Sequence, residues 1–552
     1  MAMVNATTPG YVLDDQRHTA RDTWIVVLLT FAGAVMRLTT ILIRGLWLDE
    51  AISVDQARQT LHVIIQSLAG DVHPPLFHVL LHYWMHAFGT GELAIRSFSC
   101  VWGVLAIPAA YWAGRVIYDK FAGFVAAALV AYSPYAVWYS QEARMYSMMF
   151  FFALMSLGFM ALALRDNRRW HWVGFGVFTF FGMFTHYFFC FVVLGEVAYF
   201  GFNVLVGKHV QRVRAGTSVF SWRRPLSIFA EVPQLAPGLT VFSILAVIFG
   251  IWLSRSVFMP SPEGTNALVS SATGAGLGYG QAAPVLAWRM NDAFLVLVEM
   301  VAGFHPAPMM YALVAMWPLM ISASLVLTDF LRPVGTRSML PPLAAAGIVL
   351  IAALGMWQGQ VLASRYFIGV AAPAFLVIAA IVSSMPTHTR TIVFAALIVL
   401  TIGMWADQSF DPRNIMRYDT REAVATIVQQ HAPGDVTVYE PFYLLPVFRY
   451  YMPEDIPHWG FPLWSSATAI RRTPEQIGQD LDRVCGNAHH VWLVLEFENV
   501  DTVHEDIQNT RIWFESAGFS VHQDIKFNQV EVVEYDAPPQ RYNFVAPPPG
   551  PQ

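Results

Sequence analysis

Asp49 and Glu50 stand side by side in RGLWLDEAISVD, directly after an apolar run from Trp24 to Ile43. That run is about long enough to cross a bilayer once as a helix. An ionised carboxylate at a membrane lip loses solvation, so it needs a partner or a task. The plain reading is a pair solvated among headgroups, or ion-paired with Arg44 or Arg58. The functional reading is a general base for an alcohol acceptor. Further along, in GDVHPPL, Pro74 and Pro75 stop any helix before them and permit one after, which puts His73 at a helix entrance. Asp71 reads either as a cap of that helix or as part of the acidic pocket. His78, His82 and His86, spaced i, i+4, i+8, read first as one polar stripe of an interfacial helix facing water. Metal binding by that spacing is the weaker reading.

Three arginines sit where the charge pattern does not want them. Arg96 opens an apolar run in GELAIRSFS, Arg144 lies in SPYAVWYSQEARMYS, and Arg365 begins another run in GQVLASRYF. Snorkelling to lipid phosphates would explain each one alone. Together they fit one recessed anionic site, because a guanidinium binds phosphate with two parallel hydrogen bonds. Gln141 and Glu142 flank Arg144, and Glu142 could orient it. His186 in FTHYFF is a polar interruption at the end of a run, either a pocket residue or an interfacial one.

A carboxylate base and phosphate-holding arginines at a membrane surface are the parts needed to transfer a sugar from a polyprenyl phosphate. The departing phosphate takes the negative charge, so arginines can replace a general acid. No nucleotide or metal is needed in principle. A metal-assisted variant would use Asp49, Glu50, Asp71 and His73 as ligands of a divalent cation.

These residues must be positioned by membrane-spanning elements. Of the 552 residues, 56% are hydrophobic and 13% charged. Soluble domains carry about a quarter charged residues, so the composition indicates a polytopic α-helical membrane protein. Runs near the spanning length fall at 24–43, 94–117, 121–138, 145–164, 170–186, 188–207, 236–255, 309–330, 340–358, 366–384 and 391–406, about eleven spans. Arginine and lysine concentrate in alternate loops: Arg17 and Arg21; Arg115 and Lys120; Arg165, Arg168 and Arg169; Lys208, Arg212, Arg214, Arg223 and Arg224; Arg332 and Arg337; and Arg390. The positive-inside rule then places the N-terminus in the cytoplasm and the C-terminus outside, in a cell (inner) membrane. The initial 23 residues carry no apolar core of a cleaved signal, so the first span reads as a signal anchor.

HPPLFHVLLHYWMHAF (73–88) is short for a crossing and predicts a helix lying in the interface. Residues 257–290, rich in Gly, Ala and Ser, predict an external loop, with a second interfacial helix over 291–304. After 407 the pattern changes: REAVATIVQQHAPGDVTVYEP reads helix, Pro-Gly turn, strand; VWLVLEF reads strand; HEDIQNTRIWFESAGFSVHQDIKFNQVEVVEYD reads helix, strand, strand. The division is a cytoplasmic segment 1–23, a membrane body 24–406, an extracytoplasmic α/β domain 407–535 and a Pro-rich tail 536–552. The three cysteines, Cys100, Cys190 and Cys485, imply no disulfide framework and form no CxxC pattern.

LWLDEA, DVHPPLFHVLLHYW, AIRSFSCVWGVLAIPAAYWAGRVIYD, YSPYAVWYSQEARMYS and FTHYF, in that order, resemble bacterial family-39-type glycosyltransferases of the GT-C fold. These are relatives of the dolichyl-phosphate-mannose protein mannosyltransferases and of the lipid A aminoarabinose transferases. The likeness covers roughly residues 24–200 and returns at SRYFIGVAAPAFLVIAA. It implies an inverting transfer from a polyprenyl-phosphate sugar on the extracytoplasmic face to a glycolipid, polysaccharide or protein acceptor. It implies Asp49 as the catalytic carboxylate with Glu50 beside it, His73 as the HPPL histidine and Arg96 as a phosphate-meeting arginine. Gln141, Glu142 and Arg144 match the SQEAR segment; Arg365 as a second phosphate ligand is inferred from position. No β-trefoil domain is visible, which counts against protein hydroxyls as the acceptor. The alternative is a lipid-linked sugar carrier without chemistry. Against it, no internal repeat is seen and the acidic pair lies in a loop rather than mid-span. A sensor whose outer domain binds glycan is disfavoured by the order of carboxylate and arginines.

Overall fold

The computed structural model describes residues 19–69, 73–201, 232–258, 299, 303, 364–411, 418–440, 444–461, 474–496 and 501–539. The expected spans at 309–330 and 340–358, the loop from 259 onward, the 291–304 helix apart from Glu299 and Gly303, Asp71, and the tail from residue 540 lie outside them.

The chain opens with α1 (Ala20–Thr40), whose first turn closes as a capping box: Asp22 N–H donates to Thr19 Oγ1 and Thr19 N–H to Asp22 Oδ2. Three short helices follow, α2 (Leu48–Arg58), α3 (Leu61–Leu68) and α4 (Leu76–Phe88). The body continues with α5 (Glu92–Ile117), α6 (Lys120–Tyr132), α7 (Pro134–Ser140), α8 (Tyr146–Asp166), α9 (Arg169–Thr185), α10 (Phe189–Gly201) and α11 (Leu235–Phe258). A 3-10 turn, Ser364–Phe367, leads into α12 (Ile368–Ser384), and α13 (Thr387–Phe410) completes the body. Among the described residues α1, α5, α8, α11 and α13 are each long and apolar enough to span, and the bent pair α6–α7 passes the same test together. The protein is a multi-pass membrane protein.

The expected single span over 121–138 is broken. Helices α6 and α7 meet at 58° around Ser133 and Pro134. Proline has no N–H, so the carbonyl of Val130 loses its helical partner. Arg37, inside α1, replaces it: Nη2 donates to Val130 O at 2.8 Å, and Nη1 to Ala131 O and Gly33 O, both at 3.0 Å. A fully buried guanidinium thus closes the C-terminal end of α6, where exposed carbonyls carry partial negative charge.

Close helix approach explains the small residues of α5 and α6. A Cβ on Gly123 would sit 2.7 Å from the carbonyl oxygen of Tyr111, and one on Gly114 would meet Gly123 Cα at 3.0 Å. In hydrocarbon, helices associate through such backbone proximity rather than through a hydrophobic drive. Phe150, Phe175, Phe189, Phe367 and Phe375 fill the spaces between helices α8 to α12.

Elements α2 to α4 cover one end of this bundle. Helix α4 was expected to show a water-facing histidine stripe. Instead His78 is fully buried against Phe77, His82 Nδ1 bonds to Ala57 O at 2.8 Å, and His86 alone is exposed. The reason is that α4 packs beneath α2, so the apolar face that includes Phe77, Leu81 and Met85 takes His78 inside with it.

The C-terminal region forms a three-layer α/β unit: α14 (Thr420–Gln430), β1 (Val436–Glu440), α15 (Leu445–Tyr451), β2 (His458–Gly460), α16 (Pro474–Cys485), β3 (His490–Glu496), α17 (Asp501–Ser516), β4 (Ser520–Lys526) and β5 (Val530–Asp536). Strand order is β2-β1-β3-β5-β4. β1 runs parallel to β2 and β3, while β5 is antiparallel to β3 and β4. Alternate residues of β3 face opposite layers: Trp492 and Val494 pack with Ile427 and Phe448, and Leu493 and Leu495 with Leu481 and Phe514. Gly434, at φ +99°, makes the turn between α14 and β1 that Pro433-Gly434 signals in the sequence.

Candidate active site

Residues far apart in sequence converge where α1, α5, α7, α8, α9 and α12 meet the covering helices. Trp47 precedes α2, whose first turn carries Asp49 and Glu50. Acidic side chains suit a helix N-terminus, where backbone N–H groups leave partial positive charge.

Glu50 is fully buried and fully engaged. Arg96 grips it with two parallel bonds, Nε to Oε1 at 2.8 Å and Nη2 to Oε2 at 2.6 Å. The backbone N–H groups of Ala143 and Trp47 donate to the same carboxylate. Burial alone would raise the Glu50 carboxyl; Arg96 and these other donors hold it below the ordinary carboxylate range. Arg96 is equally committed. Its remaining N–H groups reach the carbonyls of Ile41, Arg44 and Gly45 at 2.8–2.9 Å. A guanidinium has five N–H donors, and all five are used here. Arg96, expected to meet a phosphate, is wholly buried here with all its donors spent within the protein. Together Glu50 and Arg96 fix the 41–50 turn rather than face a ligand.

Asp49 is different. Its side chain is 24% exposed, against 0% for Glu50 and 2% for Glu142, so it alone of the three can be reached from outside. Its nearest cation is Arg144, with Nη2 at 3.8 Å from Oδ2. Arg144 is held by the Asp49 carbonyl at 3.3 Å, by Ser53 Oγ at 2.9 Å and by His73 Nε2 at 3.0 Å. Arginine cannot accept, so His73 Nε2 accepts and its proton sits on Nδ1. His73 meets the His186 ring edge-on at 5.5 Å. His186 Nδ1 accepts from Phe188 N–H.

Arg365 lies over the Trp47 ring at 5.2 Å, and its charge acts on Glu142 and His186. Glu142 Oε1 accepts from Trp138 Nε1 at 2.8 Å and from Arg44 Nη1 at 3.4 Å. Arg44 stacks on Trp138 at 3.6 Å. Burial raises the Glu142 carboxyl to about 7 against the pull of Arg44, with Glu50 adding to the rise. Gln141 turns away from this group: its Nε2 donates to Arg37 O and Thr40 Oγ1 and ties the end of α1 to α7.

Three buried polar atoms around this cluster have no hydrogen-bond partner: Arg144 Nε, Trp47 Nε1 and Glu142 Oε2. Buried atoms of this kind also occur elsewhere among the described residues, for example at Glu196; Arg144 and Trp47 are the two that adjoin Asp49.

Of the set Asp49, Glu50, Asp71 and His73, Asp71 lies outside the described residues and two others are already engaged. Glu50 is closed by Arg96, and His73 Nε2 is engaged by Arg144. Among the described residues no three His, Cys, Asp or Glu side chains converge as metal ligands.

Sequence reasoning singled out Asp49, Glu50, His73, Arg96, Arg144, His186 and Arg365, and the structure brings them to one end of the bundle. It missed Arg37, although a lone arginine within an apolar span is itself a signal. It also missed Tyr418, Arg421 and Tyr451 of the C-terminal unit, which touch the 42–46 segment. No local pattern marks those.

Residues 72–220 match the family model described as dolichyl-phosphate-mannose-protein mannosyltransferase. The matched region contains His73, Arg96, Glu142, Arg144 and His186. No curated protein sequence matches the chain. Among solved structures, ArnT from Cupriavidus metallidurans bound to undecaprenyl phosphate is similar with a TM-score of 0.52 and 14% identity, covering 93% of this chain and 98% of that one. The apo oligosaccharyltransferase of Archaeoglobus fulgidus is similar with a TM-score of 0.51 and 13% identity, covering 86% of this chain and 70% of that one. The protein has the GT-C fold of these membrane enzymes.

Proposed function

We propose that the protein is an inverting glycosyltransferase that moves a sugar from a polyprenyl-phosphate donor to an extracytoplasmic acceptor. The observation that carries this reading is the placement of one accessible carboxylate, Asp49, against Arg144, with Arg365 and Trp47 alongside and unpaired donors at Arg144 Nε and Trp47 Nε1. The mannosyltransferase family match over 72–220 supports it, and the polyprenyl phosphate in the ArnT structure makes that lipid class the natural donor.

In this mechanism the acceptor hydroxyl approaches the anomeric carbon from the face opposite the phosphate. Asp49 takes its proton as the new C–O bond forms. The anomeric carbon–oxygen bond to phosphate breaks, and the oxygen leaves as a phosphate monoester. Arg144 and Arg365 stabilise the charge that develops on it. Glu50 and Arg96 hold the turn that aims Asp49, and His73 and His186 wall the pocket. No step requires a metal, so transfer should continue after chelation. Carrier transport without transfer is disfavoured, because a carrier has no use for a carboxylate poised beside phosphate-binding cations.

The catalytic end is assigned to the extracytoplasmic face of the cell (inner) membrane and the N-terminus to the cytoplasm. The support is that Arg115, Lys120, Arg165, Arg168 and Arg390 flank the helix ends opposite Asp49. The 24–406 body would carry the reaction, with the 407–535 domain over its outer end and glycolipid, polysaccharide or protein as acceptor.

The decisive experiment is transfer of radiolabelled sugar from synthetic polyprenyl-phosphate mannose, arabinose or glucose to membrane extracts, comparing wild type with Asp49→Asn, with and without chelator. Label transferred by wild type alone supports the reading and names the donor. Lipid binding without transfer from any donor would replace it with the carrier reading.

A further inference from the structure

The C-terminal α/β domain reaches into the turn that carries Asp49. The Tyr451 hydroxyl, from the last turn of α15, accepts from Leu46 N–H at 2.7 Å and donates to Glu92 Oε1 at 2.8 Å. Leu46 itself is fully buried, so its N–H has no water to turn to. The Tyr418 carbonyl accepts from Gly45 N–H at 3.3 Å. Arg421, in the first turn of α14, donates from Nη1 to Glu92 Oε2 at 3.0 Å and from Nη2 to Leu42 O at 3.0 Å. Glu92 stands 3.7 Å from Arg96, whose other bonds grip Glu50 and the carbonyls of Arg44 and Gly45. A Cβ on Gly45 would sit 3.1 Å from the Tyr418 carbonyl and 3.3 Å from Arg421 N, so the two backbones are in close contact there.

These bonds form one connected network. From the membrane body, Arg96 holds the 41–50 turn through its carbonyls and Glu50. From the other domain, Tyr451, Tyr418 and Arg421 hold it through Leu46 N–H, Gly45 N–H and Leu42 O. Glu92 is the junction, receiving Tyr451 and Arg421 and lying against Arg96. The Leu46 N–H, in a fully buried residue, has Tyr451 as its partner and loses that bond outright if the tyrosine leaves. Asp49 lies three residues beyond Leu46.

We infer that Tyr451 and Arg421 of the C-terminal domain are positioning residues for Asp49, so that the domain completes the catalytic turn besides covering it. The inference rests on the glycosyltransferase reading for its kinetic consequence but not for its structural one. Neither residue touches the groups assigned to the donor phosphate, Arg144 and Arg365. The effect of removing them therefore falls on the rate of transfer and not on lipid binding.

The test uses the full-length protein in detergent or nanodiscs, with Tyr451→Phe as the main variant and Arg421→Gln as the second. Tyr450→Phe is the control, since Tyr450 bonds Thr90 O and not the 42–46 segment. Two readouts are taken: kcat and donor KM for sugar transfer, and amide hydrogen exchange across residues 42–50. Tyr451→Phe should lower kcat roughly tenfold or more, leave donor KM within about twofold, and speed exchange at Leu46. Arg421→Gln should do the same more weakly because the group is partly exposed, and Tyr450→Phe should do neither. Unchanged kcat in both variants, or a rise in KM with kcat intact, would overturn the inference even if exchange increased. If wild type transfers no sugar, the enzyme reading fails separately. Exchange then decides the coupling alone, and unchanged protection at Leu46 overturns it. Should Tyr451→Phe not fold, Arg421→Gln carries the same criteria.

Discussion

Arg96 Nη2 lies 2.6 Å from Glu50 Oε2, and neither side chain has any exposure. The pair divides the two adjacent carboxylates into different roles. Glu50 faces inward, is neutralised and fixes the turn; Asp49, one residue earlier, faces the opening with only the long contact to Arg144. Successive residues on a helix are about 100° apart, so the first turn of α2 turns Glu50 to Arg96 and leaves Asp49 toward the opening.

Breaking the buried pair should therefore cost stability before it costs affinity. Glu50→Gln or Arg96→Ala leaves an uncompensated buried charge, worth about 3–5 kcal/mol. Thermal unfolding in detergent should show a large fall for each single variant. An Arg96→Ala protein of wild-type stability that had lost lipid-phosphate binding would return Arg96 to the phosphate.

Asp49→Asn should have the opposite profile. The side chain is partly exposed and makes no hydrogen bond of its own that folding depends on. Unfolding temperature should stay near wild type while kcat falls about 10²–10⁴-fold, the usual contribution of a positioned base. Activity within a fewfold of wild type would remove Asp49 as the base.

Arg144→Ala should weaken binding of polyprenyl phosphate roughly tenfold to a hundredfold, the range expected for losing charge-assisted bonds. Because Arg144 also bonds Ser53 and His73, Arg144→Lys separates the roles. A lysine restores charge but not the fork, so it should recover only part of the affinity. Isothermal titration with the lipid phosphate would read this directly, and equal binding by all three proteins would exclude Arg144 as a ligand.

The carboxyl of Glu142 gives a pH signature. Its folded value, raised to about 7 by burial, lies above its ordinary 4.5. The folded protein thus keeps this proton more tightly than the unfolded chain does. Its stabilising contribution is complete below about 4.5 and is lost as pH rises towards 7. Glu142→Gln cannot titrate, so its unfolding temperature should fall less than that of wild type between pH 5 and pH 7.5. Parallel pH profiles for the two proteins would show that Glu142 is not the group responsible.

Much of this protein was legible in its sequence because hydrocarbon is an exacting solvent. Long apolar runs separated by basic loops dictate a multi-pass helical body, and alternation with Pro-Gly punctuation dictates the α/β unit after it. A carboxylate pair at a span end, and arginines at Arg96, Arg144 and Arg365, mark a site because unpaired charge is costly there. What the sequence could not determine was which of these charges would neutralise one another. Asp49 and Glu50 are alike as residue types, and only the packing of α5 against the 41–50 turn gives Glu50 to Arg96. Pro134 signalled a break, but only the fold supplies Arg37 to satisfy Val130 O. Tyr451 lies about four hundred residues from Leu46 and carries no local pattern, so its bond exists only once the C-terminal domain has docked. Solvation and helix period act locally and can be read locally; hydrogen-bond partnership depends on three-dimensional proximity, and tertiary structure alone decides it.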